Sequence, residues 1–172
     1  MSILPIRIYP DPVLRVRCAA VEQFDSELAG LAKDMVETMY AAPGIGLAAP
    51  QVGVELRLAV VDVSVGDEKE LLHYFVNPEI VEETGRDFDE EGCLSIPGVA
   101  EKVRRPAAIK VKALNLAGEP FEIEADGLFA RAICHEIDHL DGVLFVDRVV
   151  GLRKERAKRQ LRRLGKHTEV RM

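Results

Sequence analysis

The chain has 172 residues, 48% of them hydrophobic and 30% charged, with a net charge of −6. That length accommodates one domain with a sizeable core, and the composition is that of an ordinary water-soluble globular protein. No stretch approaches the ~18 consecutive apolar residues of a membrane span, and three widely spaced cysteines, Cys18, Cys93 and Cys134, make no disulfide framework.

The segment Met1–Arg7 lacks a basic stretch followed by a long apolar one, so no signal peptide is read and a cytoplasmic location is expected. Charge is uneven. From Gly151 to Met172 nine Lys/Arg stand against two Glu, leaving 14 basic against 27 acidic side chains in the other 150 residues. A basic tail on an acidic body points to a partner.

Residues 5–10 read as a short extended entry. From Ser26 to Ala42 the positions Leu28, Leu31, Ala32, Met35 and Met39 recur at helical spacing, with Asp25 or Ser26 as N-cap. Pro43 and Gly44 stop that helix and open a small, apolar loop through Gly53, in which Gln51 is the only amide side chain. Leu56–Val63 reads as a buried strand, Gly66-Asp67-Glu68 as a turn, and Leu71–Asn77 and Glu79–Thr84 as strands interrupted at Pro78. The cluster Asp87, Asp89, Glu90 and Glu91 reads as mostly solvated surface, and Pro97-Gly98 as the end of the segment around Cys93. Val99–Val103, Ala108–Leu114 and Phe121–Ala125 are expected strands, the last two joined at Asn115–Gly118.

A second helix opens at Asp126-Gly127, with Asp126 as N-cap, and closes at Asp141-Gly142. A third runs from Gly151 to Leu164 and ends at Gly165. The expected organisation is a catalytic body over residues 1–150, with residues 151–172 as a basic helix and tail of the same domain.

The second helix carries His135-Glu136-Ile137-Asp138-His139. Two histidines four apart share one helix face and can grip one metal ion. Glu136 lies about 100° further round the helix, bordering the metal without binding it. There it can take a proton from a metal-bound water and return it to a leaving group.

A catalytic site of this type keeps three protein ligands and one open position. Cys93, in Glu91-Gly92-Cys93-Leu94-Ser95, is the candidate third ligand. Cys18 has no motif around it, and Cys134, adjacent to His135, points about 100° away from the metal. Asp138 falls outside the metal set, with Arg105 as its expected ion-pair partner.

Taken together, Gly44-Ile45-Gly46-Leu47-Ala48-Ala49-Pro50-Gln51, Glu91-Gly92-Cys93-Leu94-Ser95 and His135–His139 resemble the three signature motifs of the peptide deformylases, in order and spacing. The resemblance implies an α+β fold of small, mainly antiparallel sheets around a central buried helix, with a C-terminal helix added. It implies removal of the formyl group from N-terminal formyl-methionine of nascent polypeptides, releasing formate. The attacking group would be a metal-bound hydroxide, with Glu136 as general base and acid.

The same resemblance implies Cys93, His135 and His139 as ligands of one divalent ion, Fe²⁺ natively, with Zn²⁺, Ni²⁺ or Co²⁺ able to substitute. Gln51 and the Leu94 N–H would donate to the formyl oxygen. Ile45, Gly46, Leu47, Gly92 and Arg131 would border the peptide. Two features depart from the commonest family pattern: Cys134 stands where Gln is frequent, and Arg131 where many relatives are apolar.

The implied partners are formyl-Met nascent peptides and, through the basic helix, the ribosome; no membrane and no specific DNA are expected. Two other readings share the H-E-x-x-H motif: a peptidase cutting internal bonds, and a structural metal or RNA-binding protein without turnover.

Overall fold

The computed structural model describes the backbone of residues 2–170 and the side chains of residues 2–166. Helix α1 (Ser26–Ala41) begins where Asp25 turns extended and its carboxylate accepts the Leu28 N–H at 3.1 Å. That bond satisfies one of the unpaired donors at a helix start. Leu28, Ala32, Met35 and Met39 form the buried stripe of α1.

The stripe packs on a five-stranded sheet of β1 (Gly46–Ala48), β2 (Leu58–Val61), β3 (His73–Thr84), β6 (Ala108–Leu114) and β7 (Pro120–Asp126). Their order is β1-β2-β3-β6-β7, every neighbouring pair antiparallel. The remaining strands, β4 (Asp87–Cys93) and β5 (Ile96–Arg105), pair with each other as a separate hairpin.

Side chains alternate across a sheet. Leu47, Leu58, Val60 and Val76 join α1 in one core. Val61, Phe75, Val111 and Ala113 join Ile133 and Ile137 of helix α2 (Gly127–Leu140) in another. Burying a side chain such as Phe75 or Ile133 contributes roughly 1.5–3 kcal/mol each.

The β4–β5 hairpin closes over the other side of α2. Glu91 of β4 reaches His135, and Arg105 of β5 reaches Asp138 at 2.6 Å. Ten of the fourteen residues of α2 are therefore buried, more than a helix with one covered face would hide. This is the expected α+β arrangement around a central H-E-x-x-H helix.

Past the end of helix α2 and its C-cap Asp141 stands Gly142, whose φ of +75° is open to glycine and costly for other residues. A Cβ there would also come 2.5 Å from the Arg15 carbonyl oxygen. The third helix, α3 (Leu152–Val170), lays Ala157 and Leu161 into a core with Val99 and Val103 of the hairpin. No helix among the described residues is long and apolar enough to cross a membrane.

Four expectations need correction. Pro78 does not divide its segment: β3 is continuous, and the proline sits in a bulge between Val76 and Glu79 where the ladder skips a step. The acidic cluster is strand β4, and Glu91 within it is buried. Pro97 and Gly98 lie inside β5, which starts at Ile96; Gly98 takes φ +78° where the pairing shifts. Finally, α3 continues past Gly165. Asp126 does occupy the N-cap of α2, but its side chain makes no capping bond.

Candidate metal centre and active site

Helix α2 supplies two of the three convergent donors. His135 Nε2 and His139 Nε2 are 3.2 Å apart, and Cys93 Sγ, at the end of β4, lies 3.3 Å from His139 Nε2. The donor atoms of these three side chains all lie within 4.8 Å of one another, a group able to hold one metal ion. One thiolate and two imidazoles suit zinc, iron, nickel or cobalt and suit magnesium or calcium poorly.

The orientation of His135 is set from behind. Its Nδ1 lies 2.9 Å from Glu91 Oε1. A carboxylate there fixes the proton on Nδ1 and leaves the Nε2 lone pair facing Cys93 and His139. Burial lowers the pKa of His139, and the neighbouring His135 and Arg105 lower it further, so this imidazole is neutral, as a ligand must be. Burial also disfavours the His135 cation. Glu136, Cys93 and Glu91 outweigh that effect and push its pKa up, so a proton competes with a metal ion for Nε2.

Glu91 is the hub of a buried charge cluster. Oε1 also accepts from Arg105 Nη2 at 2.9 Å, and Oε2 accepts from Arg105 Nε at 2.8 Å and Arg131 Nη1 at 2.7 Å. Burial alone would raise its pKa; the bonds from Arg105 and His135 overcome this and bring it down to about 2. Asp138 accepts from Arg105 and, at 2.8 Å, from Arg148 Nη2, so the Arg105–Asp138 pair read from the sequence is present within a larger network.

Glu136 is 3% exposed, and its Oε1 has no hydrogen-bond partner. Burial raises its pKa to about 7, against the pull of His135. An unpartnered buried carboxylate oxygen costs free energy and is kept where chemistry uses it. Gly46 of β1 makes the room: a Cβ there would lie 2.6 Å from Glu136 Oε2.

Gln51 is buried, with a fixed orientation. Its Oε1 accepts the Ala48 N–H at 3.0 Å, which turns Nε2 toward Ser95 Oγ at 3.1 Å and Cys93 Sγ at 3.6 Å. The amide donor therefore sits beside the metal-ligand group, and Leu94 follows Cys93 directly.

In front of these groups lies a cavity of about 400 Å³. Ile45, Gly46, Gly92 and Leu94 line it beside Gln51, Cys93, His135 and Glu136. Strand β1 is the terminal strand of its sheet, so one edge of its backbone is unpaired in the ladder, and its Gly46 lines this cavity.

Two expected substrate contacts change. The Leu47 side chain does not line the cavity. It is fully buried with α1, because neighbours on a strand face opposite ways and Gly46 is the one that faces Glu136. Arg131 does line the cavity, but its guanidinium turns inward to Glu91 and to the Val103 carbonyl at 2.9 Å. Cys134 is buried on another side of α2, and burial raises its thiol pKa to about 11.

Two residues were missed. Glu91 looked solvated by composition, although its position two before Cys93 on one strand places both on the same face. Ser95, fully buried against Gln51, carried no separate signal.

Fold and site together define a metal-dependent hydrolase of α+β architecture, with its motif helix enclosed between a sheet and a hairpin. The family model for polypeptide deformylase matches residues 3–155. A peptide deformylase of Clostridium botulinum is 55% identical over 148 residues, 86% of this chain and 97% of that protein. One from Acidobacterium capsulatum is 47% identical over 98% of this chain and 99% of its own. The crystal structure of a peptide deformylase from Legionella pneumophila superimposes with a TM-score of 0.89 at 45% identity, covering 99% of both chains. A plant peptide deformylase, PDF1B, gives 0.95 at 38% identity, covering all of this chain and 94% of its own. The chain belongs to the peptide deformylase family.

Proposed function

We propose that the protein hydrolyses the N-formyl group from the N-terminal formyl-methionine of nascent polypeptides, releasing formate and a free amine. The observation that carries this reading is the convergence on one cavity wall of three kinds of group. They are a Cys93–His135–His139 ligand set, an unpartnered Glu136 oxygen and a Gln51 amide held with its N–H groups inward.

Cys93, His135 and His139 would hold a divalent ion, Fe²⁺ natively with Zn²⁺, Ni²⁺ or Co²⁺ as substitutes, which would supply Lewis-acid chemistry at the attacking water. Glu136 takes the proton from the attacking water. The same carboxyl then delivers it to the departing amine as the formyl carbon–nitrogen bond breaks.

As the formyl carbon becomes tetrahedral its oxygen gains charge. Gln51 Nε2 and the Leu94 N–H donate to it. Ile45, Gly92, Leu94 and the stem of Arg131 border the methionine side chain, and the free edge of β1 at Gly46 pairs with the extended peptide as an added strand. A formyl group is small, so the closeness of Gly46 to Glu136 suits it better than an internal peptide bond flanked by two side chains.

The basic α3 is proposed to dock on ribosomal RNA, holding the enzyme near emerging chains in the cytoplasm. Its described exposed side chains are largely Arg and Lys, while Ala157 and Leu161 anchor it to the body.

The test is formate release from formyl-Met-Ala-Ser by anaerobically purified protein, with metal content measured on the same sample. Formate in proportion to bound metal is expected. Cleavage of blocked longer peptides at internal bonds, or no formate from metal-loaded protein, overturns the reading.

A further inference from the structure

On the outer face of the β4–β5 hairpin Phe88, outside the lining of the cavity, is 42% exposed. Three cations surround its ring. Lys102 Nζ and the Arg104 guanidinium lie 5.7 Å from its centroid, and the Arg153 guanidinium lies 5.3 Å away. Lys102 and Arg104 come from β5, where Arg104 is the direct register partner of Phe88; Arg153 comes from the first turn of α3. The ring thus stands where the hairpin meets the basic helix.

Arg104 also lines a cavity of about 210 Å³ on the adjoining flank, together with Arg86, Arg105 and Arg148. Two carboxylates, Glu83 and Asp138, share that lining, and Asp138 is already bonded to Arg105 and Arg148. On the Phe88 face Glu90 stands opposite Lys102, and Glu101 on the hairpin interacts with Arg153 as well as with Arg156. A body carrying 27 acidic against 14 basic side chains thus gathers Lys102 and Arg104, with Arg153 of α3, around one exposed ring.

Surface cation–π contacts are weak in water, and long exposed side chains leave them readily for a phosphate. An aromatic face ringed by cations is the arrangement that proteins use for unpaired nucleic acid, where bases stack and the backbone follows a positive track. We infer that the outer face of the β4–β5 hairpin is a platform for single-stranded RNA: Phe88 stacks on a base, Lys102, Arg104 and Arg153 hold the flanking phosphates, and the arginine-lined cavity receives the next one.

The platform extends the track of α3 and so rests in part on the proposed docking of that helix, but its residues are separable from it. A lipid surface is the less suited occupant. The ring is clasped by cations rather than projecting, and the neighbouring cavity offers the guanidinium groups of Arg86 and Arg104.

The experiment uses the full-length protein and a short fluorescein-labelled single-stranded RNA of mixed sequence, with the matching duplex for comparison. Fluorescence anisotropy is followed from low to physiological salt. Phe88→Leu keeps an apolar side chain but removes the stacking face. It is expected to weaken single-strand binding roughly 5- to 100-fold, to change duplex binding little, and to leave the salt slope alone. Phe88→Trp restores binding. Arg104→Ala lowers the slope of log K against log salt by about 0.7. Formate release from a short formyl peptide and the unfolding midpoint stay unchanged in Phe88→Leu.

No RNA binding by the unmodified protein, or equal binding by Phe88→Leu, overturns the platform. If Arg159→Ala with Arg163→Ala abolishes binding while Phe88→Leu does not, helix docking stands and the platform falls. The converse result supports the platform and removes the docking of α3. Binding to phosphatidylglycerol vesicles in place of RNA also overturns the inference.

Discussion

Gly46 and Glu136 are packed backbone against carboxylate, so closely that a single added carbon at position 46 would stand 2.6 Å from Oε2 and 3.1 Å from Cγ. Glu136 is enclosed on a buried helix and has little space to retreat. Gly46→Ala is therefore expected to displace the carboxylate. A misplacement near 1 Å costs on the order of 100-fold in rate. Steady-state formate release should show this loss in kcat/KM while metal content stays near that of the unmodified protein. Unaltered kinetics would mean that Glu136 moves freely and is not held for proton transfer.

Glu91 joins a proposed metal ligand to two buried arginines. Glu91→Gln keeps its shape but loses the carboxylate that orders His135. Such changes behind a metal ligand weaken binding about 10- to 100-fold, measurable by competition with a chelator. Glu91→Ala also strands Arg105 and Arg131, and removing one partner of a buried ion pair costs about 3–5 kcal/mol. Urea unfolding should separate the two variants clearly.

Gln51→Ala removes an amide that Ala48 holds in place and Ser95 supports. Loss of one oxyanion donor costs about 10²–10³ in kcat. The loss is expected mainly in kcat, because the proposed donor would serve the tetrahedral state more than the bound peptide. Ser95→Ala leaves the amide in position through Ala48 and should fall well short of that loss. An effect of Gln51→Ala confined to KM would remove Gln51 from the oxyanion role.

Asp62 is fully buried, and it accepts from Ser64 N at 2.8 Å, Ser64 Oγ at 2.6 Å, Gly66 N at 3.0 Å and the Tyr40 hydroxyl. Burial raises its pKa, but the bonds from Ser64, Tyr40 and Gly66 prevail and hold it below 3.8. A carboxylate held low in the folded state adds stability above its unfolded pKa and loses it as pH falls through the folded value. Asp62→Asn puts an amide donor against other donors and should cost about 1–3 kcal/mol at neutral pH. The melting midpoints of variant and unmodified protein should converge as pH drops below 4. A gap that stays constant into acid would contradict the assignment.

Much of this was legible because it is local. The α1 stripe, its Asp25 cap and the strands from Ala108 to Ala125 follow from spacing that neighbouring residues enforce. The H-E-x-x-H pair is equally local, since one helical turn brings the two histidines together. What stayed hidden depends on partners distant in the chain. Glu91 reads as one more surface acid until Arg105, Arg131 and His135 arrive from β5 and α2. Leu47 reads as a pocket residue until β1 pairs with β2 and its alternation is fixed. Pro78 and Pro97 read as breaks, since a proline cannot donate to a ladder; bulges, invisible in composition, accommodate both.

The charge bundle of Glu91, Arg105, Arg131, Asp138 and Arg148 holds the hairpin to α2 in a manner that grease would not. Apolar contacts tolerate sliding, whereas forked guanidinium bonds have one geometry. Strand side chains alternate, so a one-residue slip of β5 on α2 would present Arg104 in place of Arg105 and bury nothing that matches Glu91. A bundle of this kind adds little net stability over well-packed hydrocarbon. It works as an alignment key: it fits in one position, and in that position Cys93 faces the two histidines.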